Sequence, residues 1–285
     1  MKSEKANTPT ENLNRRDFLK TTGTAVAGFT IVPSHVIAGL GHVTPSEKIT
    51  VANIGCGTQG LRELAELLEN PHVQVVSLCD PCKYAEGYRD WSRNGLIERT
   101  RRLLEDPGWG TQLKGIPGGR DMLQQIVNQY YAKTKAAGQF DGVTTYADFR
   151  ELLAQEKDLD AVKIMTPDHL HAPIALAALD KGLHTITHKP IANRMYEAKA
   201  VIEKARVTGL HTHLLAWSDL VNFNEIKKWI DDGMIGKLQS IHNWSGRPVW
   251  PQYLERPTEM PPVPKGFDWD LWLGPVPDMP YHPNY

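Results

Sequence analysis

The chain has 285 residues, of which 41% are hydrophobic and 23% are charged, and its formal net charge is −1 at pH 7. This length suggests about two domains of roughly 150 residues each, with enough apolar material for a sizeable core. Because acidic and basic residues nearly balance, neither a nucleic-acid partner nor an anionic membrane surface is indicated. Three cysteines are too few for a disulfide framework.

The first 40 residues have the pattern of a twin-arginine export signal. Arg15 and Arg16 precede a mildly apolar stretch, residues 21–40, that is rich in Ala, Gly, Val and Thr. Pro33 and the glycines make this stretch a poor permanent membrane helix, so no stable membrane insertion is expected. We therefore expect the twin-arginine export machinery as a partner and a periplasmic or otherwise exported protein. A basic tail without signal function is the alternative, and it would leave the protein cytoplasmic.

A glycine-rich turn between a strand and a helix is the most informative motif. Gly55, Gly57 and Gly60 have the spacing Gly-x-Gly-x-x-Gly, follow an apolar strand and open an amphipathic helix. In a dinucleotide site the first glycine makes a tight turn, the second lets the backbone approach the pyrophosphate, and the third allows close helix packing. The helix N-terminus then faces the negative charge. The motif predicts a nicotinamide dinucleotide site, and an ordinary glycine-rich turn is the alternative.

An acidic residue stands where such a site needs one. A second apolar strand ends at Asp80, twenty residues beyond Gly60. Its carboxylate can hydrogen-bond the adenosine ribose and would repel a 2′-phosphate. We therefore expect NAD as the cofactor, with NADP as the alternative because Lys83 can pair with that phosphate. Cys79 and Cys82 flank this position as a CxxC pair, and we interpret them as packing cysteines rather than as a redox or metal site.

Strand and helix signals alternate along the chain from residue 48. Residues 84–140 form a long polar insertion between strands, with helices expected near 84–105 and 121–137. The alternation predicts an α/β fold, a Rossmann doubly wound parallel sheet over residues 47–190. The ligand of such a sheet lies beyond the carboxyl ends of its strands.

The remaining residues, 191–285, are assigned to an incomplete α/β second domain with an open sheet. Its expected strands lie near 210–217 and 237–245, on either side of a helix at 223–232. So few elements leave an apolar face and a strand edge exposed. Six of the eight tryptophans lie in the last 69 residues, where they form either a sugar-stacking platform or, more commonly, a domain core.

Two later strands also end in polar residues. A buried-type strand is followed by the run Thr166-Pro167-Asp168-His169-Leu170-His171, after which a helix is expected from Ala172 to Lys181. The next strand ends in His188-Lys189-Pro190. Because the carboxyl ends of parallel strands share one edge of the sheet, these loops converge with Gly55 and Asp80 on one crevice.

Together these motifs resemble the Gfo/Idh/MocA oxidoreductase family, named for glucose–fructose oxidoreductase and inositol dehydrogenase. The resemblance runs from about residue 48 to residue 285. It implies an N-terminal Rossmann domain and a C-terminal α/β domain whose open sheet covers the nicotinamide, and a homo-oligomer for the full-length protein. The residues implied in dinucleotide binding are Gly55, Gly57, Thr58, Gln59, Gly60, Asp80, Thr166, Pro167, Asp168, His169, His171 and His188.

The resemblance places Lys189 opposite the substrate as the catalytic group. Hydride removal from a carbinol carbon requires that the hydroxyl proton be taken up or its developing charge be stabilised. A lysine in a partly desolvated cleft can do either, because desolvation lowers its pKa. In related enzymes the Lys–Pro bond is often cis, and we expect a cis bond between Lys189 and Pro190. No metal is expected, since His211 and His213 lack a third ligand in register.

Two features depart from the family pattern. Glu usually precedes the catalytic lysine, whereas His188 stands here. The family also carries an Asp and a His on a later helix of the second domain, and this chain stops at Tyr285 before such a segment. We therefore expect a C-terminally truncated chain.

Three functions remain open. The leading one is an NAD(P)-dependent oxidoreductase that acts on a hydroxyl of a carbohydrate-like small molecule: a sugar, glycoside or cyclitol. The second is a glycosidase that uses bound NAD for transient oxidation with no net redox change. The third is a chain that binds the dinucleotide without catalysis. Accumulation of free NAD(P)H separates the first from the second, and absence of turnover identifies the third.

Overall fold

Six parallel strands form one sheet in the structure, a computed structural model that describes residues 47–88, 92–135, 140–216, 223–242 and 255–285. The strands are β1 (Ile49–Ile54), β2 (Val73–Cys79), β3 (Thr144–Tyr146), β4 (Ala161–Ile164), β5 (His184–His188) and β6 (Thr212–Leu215). The helices in these ranges are α1 (Thr58–Glu69), α2 (Arg93–Leu104), α3 (Arg120–Thr134), α4 (Phe149–Gln155), α5 (Asp168–Asp180), α6 (Met195–Thr208), α7 (Phe223–Asp231) and α8 (Trp269–Leu273).

The strand order is β3-β2-β1-β4-β5-β6, and every pair is parallel. This is the order of a Rossmann sheet, so the predicted fold class is confirmed. From β1 the chain first proceeds toward β3 and then crosses back to β4 on the other side. The resulting switch point lies between β1 and β4, where the carboxyl ends of the strands open a crevice for a ligand.

The sixth strand corrects the predicted domain boundary. Residues 210–217 were assigned to a second domain beginning at residue 191, whereas β6 pairs with β5, with Thr185 opposite Thr212 and His188 opposite Leu215. The physical reason is the crossover helix α6, which packs on α5 and returns the chain parallel to β5. Residues 237–242 of the other expected strand have no strand structure, and residues 243–245 lie outside the described ranges.

Apolar side chains fill both faces of the sheet. Helices α1, α2 and α3 cover one face, and α4 and α5 cover the other. All four residues of β4 are buried, as expected for a central strand of a parallel sheet. The first face is packed by Leu61, Leu64, Leu68, Leu78, Leu96 and Leu123, and the second by Val162, Ile164, Ala172, Ile174 and Ala178.

Helix α5 begins at Asp168, four residues before the predicted start. Pro167 is its N-cap residue. The acidic side chain of Asp168 lies in the first turn, where its negative charge interacts favourably with the positive end of the helix dipole. The prediction relied on Pro173 as a start signal, but that proline lies inside the helix. Asp168 and His169 therefore belong to a helix N-terminus at the crevice rather than to a loop.

The long insertion returns to the carboxyl ends of β1 and β2. The two expected helices are present as α2 and α3. Between them and β2, the amide of Gly119 donates to the carbonyl of Cys56 at 2.8 Å, and the amide of Arg120 donates to the carbonyl of Cys82 at 3.1 Å. The insertion is thus anchored directly on the glycine-rich turn.

Within the described residues β6 is the outermost strand on its side of the sheet, and apolar side chains of α6 and of the segment around α7 are exposed. On α6, Met195 and Tyr196 are 74% and 83% exposed. On and after α7 the exposed apolar residues are Ile226, Trp229, Met234, Ile235, Leu238 and Ile241. In the described part of the chain, no helix combines the length and apolar character that a membrane crossing requires. The predicted export signal, residues 1–40, lies outside the described residues.

Candidate functional site

The first and third glycines of the motif are required by backbone geometry. Gly55 has a φ of +101°, and a Cβ on it would lie 2.5 Å from the backbone of Met165. A Cβ on Gly60 would lie 2.2 Å from the carbonyl oxygen of Gly55. Both contacts are with backbone that cannot move aside, so the turn is closed between β1, α1 and the end of β4.

The second glycine is different. Gly57 has an ordinary φ of −75° and precedes α1 as its N-cap residue. A Cβ there would meet only a side chain, the ring of Tyr88, at 3.2 Å. The first turn of α1 contains no acidic residue, so no side chain of that turn neutralises the positive end of the helix dipole. A glycine at the N-terminus of a helix whose first turn has no acidic residue fits a pyrophosphate group.

Asp80 lies directly after β2, as predicted, and its carboxylate is tied to the glycine-rich turn. One oxygen accepts from the amide of Cys56 at 2.6 Å, and the other accepts from the amide of Cys82 at 2.8 Å. Burial raises the pKa of Asp80 to about 6, although the two amides and Arg120 oppose that shift. The carboxylate therefore fixes the backbone of the turn. Its contact with the adenosine ribose stays a prediction; the lone pairs that do not accept from the two amides would make that contact.

Two residues of the insertion belong to this site and were missed by sequence reasoning. The guanidinium of Arg120 donates to the carbonyl oxygen of Asp80 at 2.8 Å. The ring of Tyr88 lies between Gly57 and Gly118, because a Cβ on either glycine would contact it. The one sequence signal near Arg120 was the run Pro117-Gly118-Gly119, and it indicated only a loop.

The cysteines are packing residues, in agreement with the sequence prediction. Cys56, Cys79 and Cys82 are all free and buried. Burial and the nearby Asp80 carboxylate raise the pKa of each thiol, so none is poised as a thiolate nucleophile. In the described ranges, no three His, Cys, Asp or Glu side chains are grouped to hold a metal.

The loop after β4 presents polar groups to the crevice. The hydroxyl Oγ1 of Thr166 is buried without a hydrogen-bond partner in the described part of the chain. Pro167 and Asp168 are exposed. His169 contacts the carbonyl oxygen of Trp272 through Nε2 at 2.8 Å. An unpartnered hydroxyl beside the exposed Asp168 carboxylate fits a ligand with several hydrogen-bonding groups, such as a nucleotide ribose.

His171 does not have the predicted role. Its side chain is fully buried, and both ring nitrogens face backbone carbonyls: Nδ1 lies 2.6 Å from the oxygen of Pro190, and Nε2 lies 2.8 Å from that of Thr166. The prediction of a direct cofactor contact is therefore wrong, because no atom of the ring is left to face a ligand. His171 joins the loop after β4 to the loop after β5.

The loop after β5 contains the predicted cis bond between Lys189 and Pro190. Lys189 is exposed rather than partly desolvated, and its amide donates to the carbonyl of Leu215 at 3.0 Å. The neighbouring His188 is largely buried, with Nε2 4.0 Å from Oε1 of Glu63 on α1. Burial lowers the pKa of His188, although the Glu63 carboxylate raises it.

A cavity of about 250 Å³ lies at the carboxyl ends of the strands. Its walls include Pro81, which follows Asp80, and Thr166 and Leu170 at the start of α5. Leu271 and Gly274, in and after α8, also line it. The cavity thus adjoins the segment that follows Asp80 and the loop after β4.

The tryptophans near this cavity pack on each other. Trp269 and Trp272 are stacked at 4.7 Å between ring centroids, and the indole of Trp269 donates to the carbonyl of Met279 at 2.7 Å. This packing favours the core interpretation over a sugar platform for these two. Trp217, Trp244 and Trp250 lie outside the described residues.

Comparison with known proteins agrees with this arrangement. Residues 99–214 match the model of the Gfo/Idh/MocA group, described as an oxidoreductase family with an NAD-binding Rossmann fold. A levoglucosan dehydrogenase of Pseudarthrobacter phenanthrenivorans is 32% identical over 128 residues, covering 41% of this chain and 31% of the relative. A glycosyl hydrolase family 109 protein of Shewanella sp. is 24% identical over 246 residues, covering 80% of this chain and 44% of the relative.

This chain therefore spans less than half the length of the two curated relatives. Among solved structures, the WlbA dehydrogenase of Bordetella pertussis, in complex with NADH and UDP-GlcNAcA, is 16% identical with a TM-score of 0.44; the match covers 67% of this chain and 42% of that one. Over residues 99–214 this chain is thus similar to the Gfo/Idh/MocA oxidoreductases, a family with an NAD-binding Rossmann fold, and its curated relatives include a dehydrogenase.

Proposed function

We propose that this chain is the cofactor-binding part of an oxidoreductase that transfers hydride between NAD and a CH–OH carbon of a sugar, glycoside or cyclitol. The observation that carries the proposal is the glycine cradle at the switch point, with Asp80 on one side and the loop after β4 on the other. The similarity to a levoglucosan dehydrogenase supports a carbohydrate-like substrate.

The proposed contacts follow the crevice from one end to the other. Gly57, Thr58 and Gln59 hold the pyrophosphate at the N-terminus of α1. Asp80 accepts from the adenosine ribose, and the adjoining cavity takes the adenine. At the other end, the nicotinamide half contacts Thr166, Pro167, Asp168, His169 and His188.

Bound NAD supplies the hydride acceptor, and Lys189 supplies the group that faces the substrate. Its side chain stands on the loop after β5, where the unprotonated amine can take up the hydroxyl proton as the hydride passes from the carbon to NAD+. Because Lys189 is exposed in this structure, substrate and any covering element must exclude water from it during turnover.

A second candidate rests on the glycosyl hydrolase family 109 relatives, which match 80% of this chain. It is a glycosidase in which the same cofactor contacts and Lys189 serve a transient oxidation with no net redox change. We also propose, from Arg15 and Arg16 in the sequence, that the protein is exported by the twin-arginine route, and that the full-length protein is a homo-oligomer.

One assay separates these functions. The protein is incubated with NAD+ and a panel of sugars, including levoglucosan, cyclitols and nitrophenyl glycosides, and NADH and released nitrophenol are both recorded. An oxidoreductase accumulates NADH in proportion to substrate consumed. A glycosidase releases nitrophenol without NADH. Tight NAD+ binding without either product would contradict both catalytic proposals and leave a dinucleotide-binding protein.

Asp80 should make the protein prefer NAD+ over NADP+, because its carboxylate repels a 2′-phosphate. The dissociation constants of the two cofactors, measured by calorimetry, should differ by about tenfold or more in favour of NAD+. In Asp80→Asn that difference should shrink. Asp121, a half-buried carboxylate that lies 3.9 Å from Lys83, is the matched control, since Asp121→Asn should keep the preference. Tighter binding of NADP+ by the unchanged protein would contradict this role.

The same residue predicts a pH dependence of binding. Its pKa is raised from 3.8 to about 6, so the carboxylate that accepts from the ribose is present above pH 6 and is protonated below it. The affinity for NAD+ should therefore fall as the pH drops through about 6. Asp80→Asn should lack this step. An unchanged NAD+ affinity across the range would show that the carboxylate takes no part in binding.

A further inference from the structure

A buried polar cluster lies between α1 and the sheet, next to the proposed cofactor site. In the register of the sheet, Lys163 on β4 stands opposite Asn53 on β1 and Ile186 on β5. Because alternate residues of a strand share a face, His188 lies on the same face as Ile186, two positions closer to the crevice. Helix α1 covers this face and places Glu63 against it.

Four side chains form the cluster. The amide of Gln59 donates to Oε1 of Glu63 at 2.8 Å. The ammonium of Lys163 donates to the backbone oxygen of Glu63 at 3.0 Å and lies 3.4 Å from Oε2. Nε2 of His188 lies 4.0 Å from Oε1. The side chains of Lys163, Glu63 and His188 are only 4%, 11% and 14% exposed.

The arrangement goes beyond a structural ion pair. Charge compensation of Lys163 needs only Oε2 and the backbone oxygen of Glu63. Oε1 instead faces Gln59, in the first turn of α1, and His188, which directly precedes Lys189. Nε2 of His188 has no hydrogen bond in the described part of the chain. One carboxylate oxygen thus stands between the pyrophosphate end and the nicotinamide end of the site.

We propose that Glu63 is a positioning residue that holds Gln59 at the pyrophosphate end and His188 at the nicotinamide end of the dinucleotide site. The proposal rests on the proposed cofactor contacts of those two residues. The charged and titratable groups around His188 are Glu63 on α1, Lys163 on β4, His171 on α5 and the adjoining Lys189. Among these, Glu63 is the anion; from 4.0 Å its carboxylate attracts the imidazole and raises the pKa of His188, against the larger lowering by burial.

The test compares Glu63→Gln with Glu66→Gln. Glu66 lies one turn later on the same helix, is 64% exposed and pairs with Arg99 at 3.0 Å, which makes it a matched control. The first readout is the NMR titration of His188 in the cofactor-free protein. Because Glu63 raises the pKa of His188, Glu63→Gln should lower the titration midpoint, whereas Glu66→Gln should leave it unchanged.

The second readout is NAD+ affinity by calorimetry, which should weaken by about tenfold in Glu63→Gln alone. If Glu63→Gln does not fold, the double variant Glu63→Gln with Lys163→Met removes both charges and is measured in the same way. An unchanged His188 titration in the variants would overturn the inference, as would equal NAD+ affinities of Glu63→Gln and Glu66→Gln. Absence of NAD+ binding by the unchanged protein would instead defeat the proposed function, and the titration would still decide the Glu63–His188 coupling.

Discussion

Replacing Lys189 with alanine should lower turnover about 10²–10⁴-fold while leaving NAD+ affinity nearly unchanged. The hydrogen bonds that the described structure shows for Lys189 are made by its backbone, to Leu215 and His188, and alanine keeps them. The lost interaction is therefore one made with the substrate oxygen during reaction rather than one that holds the cofactor. Steady-state kinetics on a substrate found with the sugar panel, together with calorimetric titration of NAD+, measure the two effects separately.

Lys199→Ala is the control for that experiment, because Lys199 is an exposed lysine on the outer helix α6. It should keep both turnover and NAD+ affinity. Turnover of Lys189→Ala equal to that of the unchanged protein would transfer the catalytic role to another residue. A parallel loss of turnover and NAD+ affinity would make Lys189 a cofactor-binding group instead.

Replacing Glu63 with alanine should lower the free energy of unfolding by about 3–5 kcal/mol, because it leaves the ammonium of Lys163 buried without its anion. The side chain of Lys163 is only 4% exposed, so water cannot take the place of the carboxylate. Burial already lowers the pKa of Lys163, and Glu63 opposes that shift. Without Glu63 the amine loses its proton more readily, so the destabilisation should shrink as the pH rises.

Urea unfolding of the cofactor-free protein measures this loss. The double variant Glu63→Leu with Lys163→Met should recover most of the stability, since a buried ion pair can be replaced by apolar side chains at little cost. If Glu63→Ala were as stable as the unchanged protein, the two charges would not be coupled in solution.

The part of the fold nearest the glycine-rich turn could be predicted from sequence because local rules determine it. An apolar strand, three glycines and an amphipathic helix define β1 and α1, and the next strand places Asp80 beside them. The structure shows why Gly55 and Gly60 must be glycines: a Cβ on either would clash with backbone. The Gly-x-Gly-x-x-Gly spacing already indicates this close packing.

Other features depend on contacts between distant parts of the chain. The sequence of β6 indicates a strand, but nothing local tells which sheet that strand joins, and α6 decides this by packing on α5. His171 occupies a site motif, yet its side chain points into the protein, because the carbonyls of Pro190 and Thr166 lie against its two ring nitrogens. Motif position therefore predicts the location of a residue better than its contacts.

The polar contacts that sequence reasoning missed also join distant parts of the chain. Glu63 is an ordinary acidic position on an amphipathic helix until the register of β4 brings Lys163 beneath it. Arg120 is 40 residues from Asp80 in sequence and reaches it only because the insertion returns to the end of β2. Neither pairing has a signal in the spacing of residues along the chain.

The most direct test of the dinucleotide site is a calorimetric titration of NAD+ into the unchanged protein and into Gly57→Ala. Gly57 has an ordinary φ, and an added Cβ would lie 3.2 Å from the ring of Tyr88, a side chain that can shift by the small amount needed, so the variant should fold with a nearly unchanged melting temperature. The methyl group would, however, stand where the pyrophosphate approaches the backbone, so NAD+ affinity should fall by about tenfold or more. Equal NAD+ affinities of the two proteins, at equal melting temperatures, would contradict a dinucleotide site at this turn.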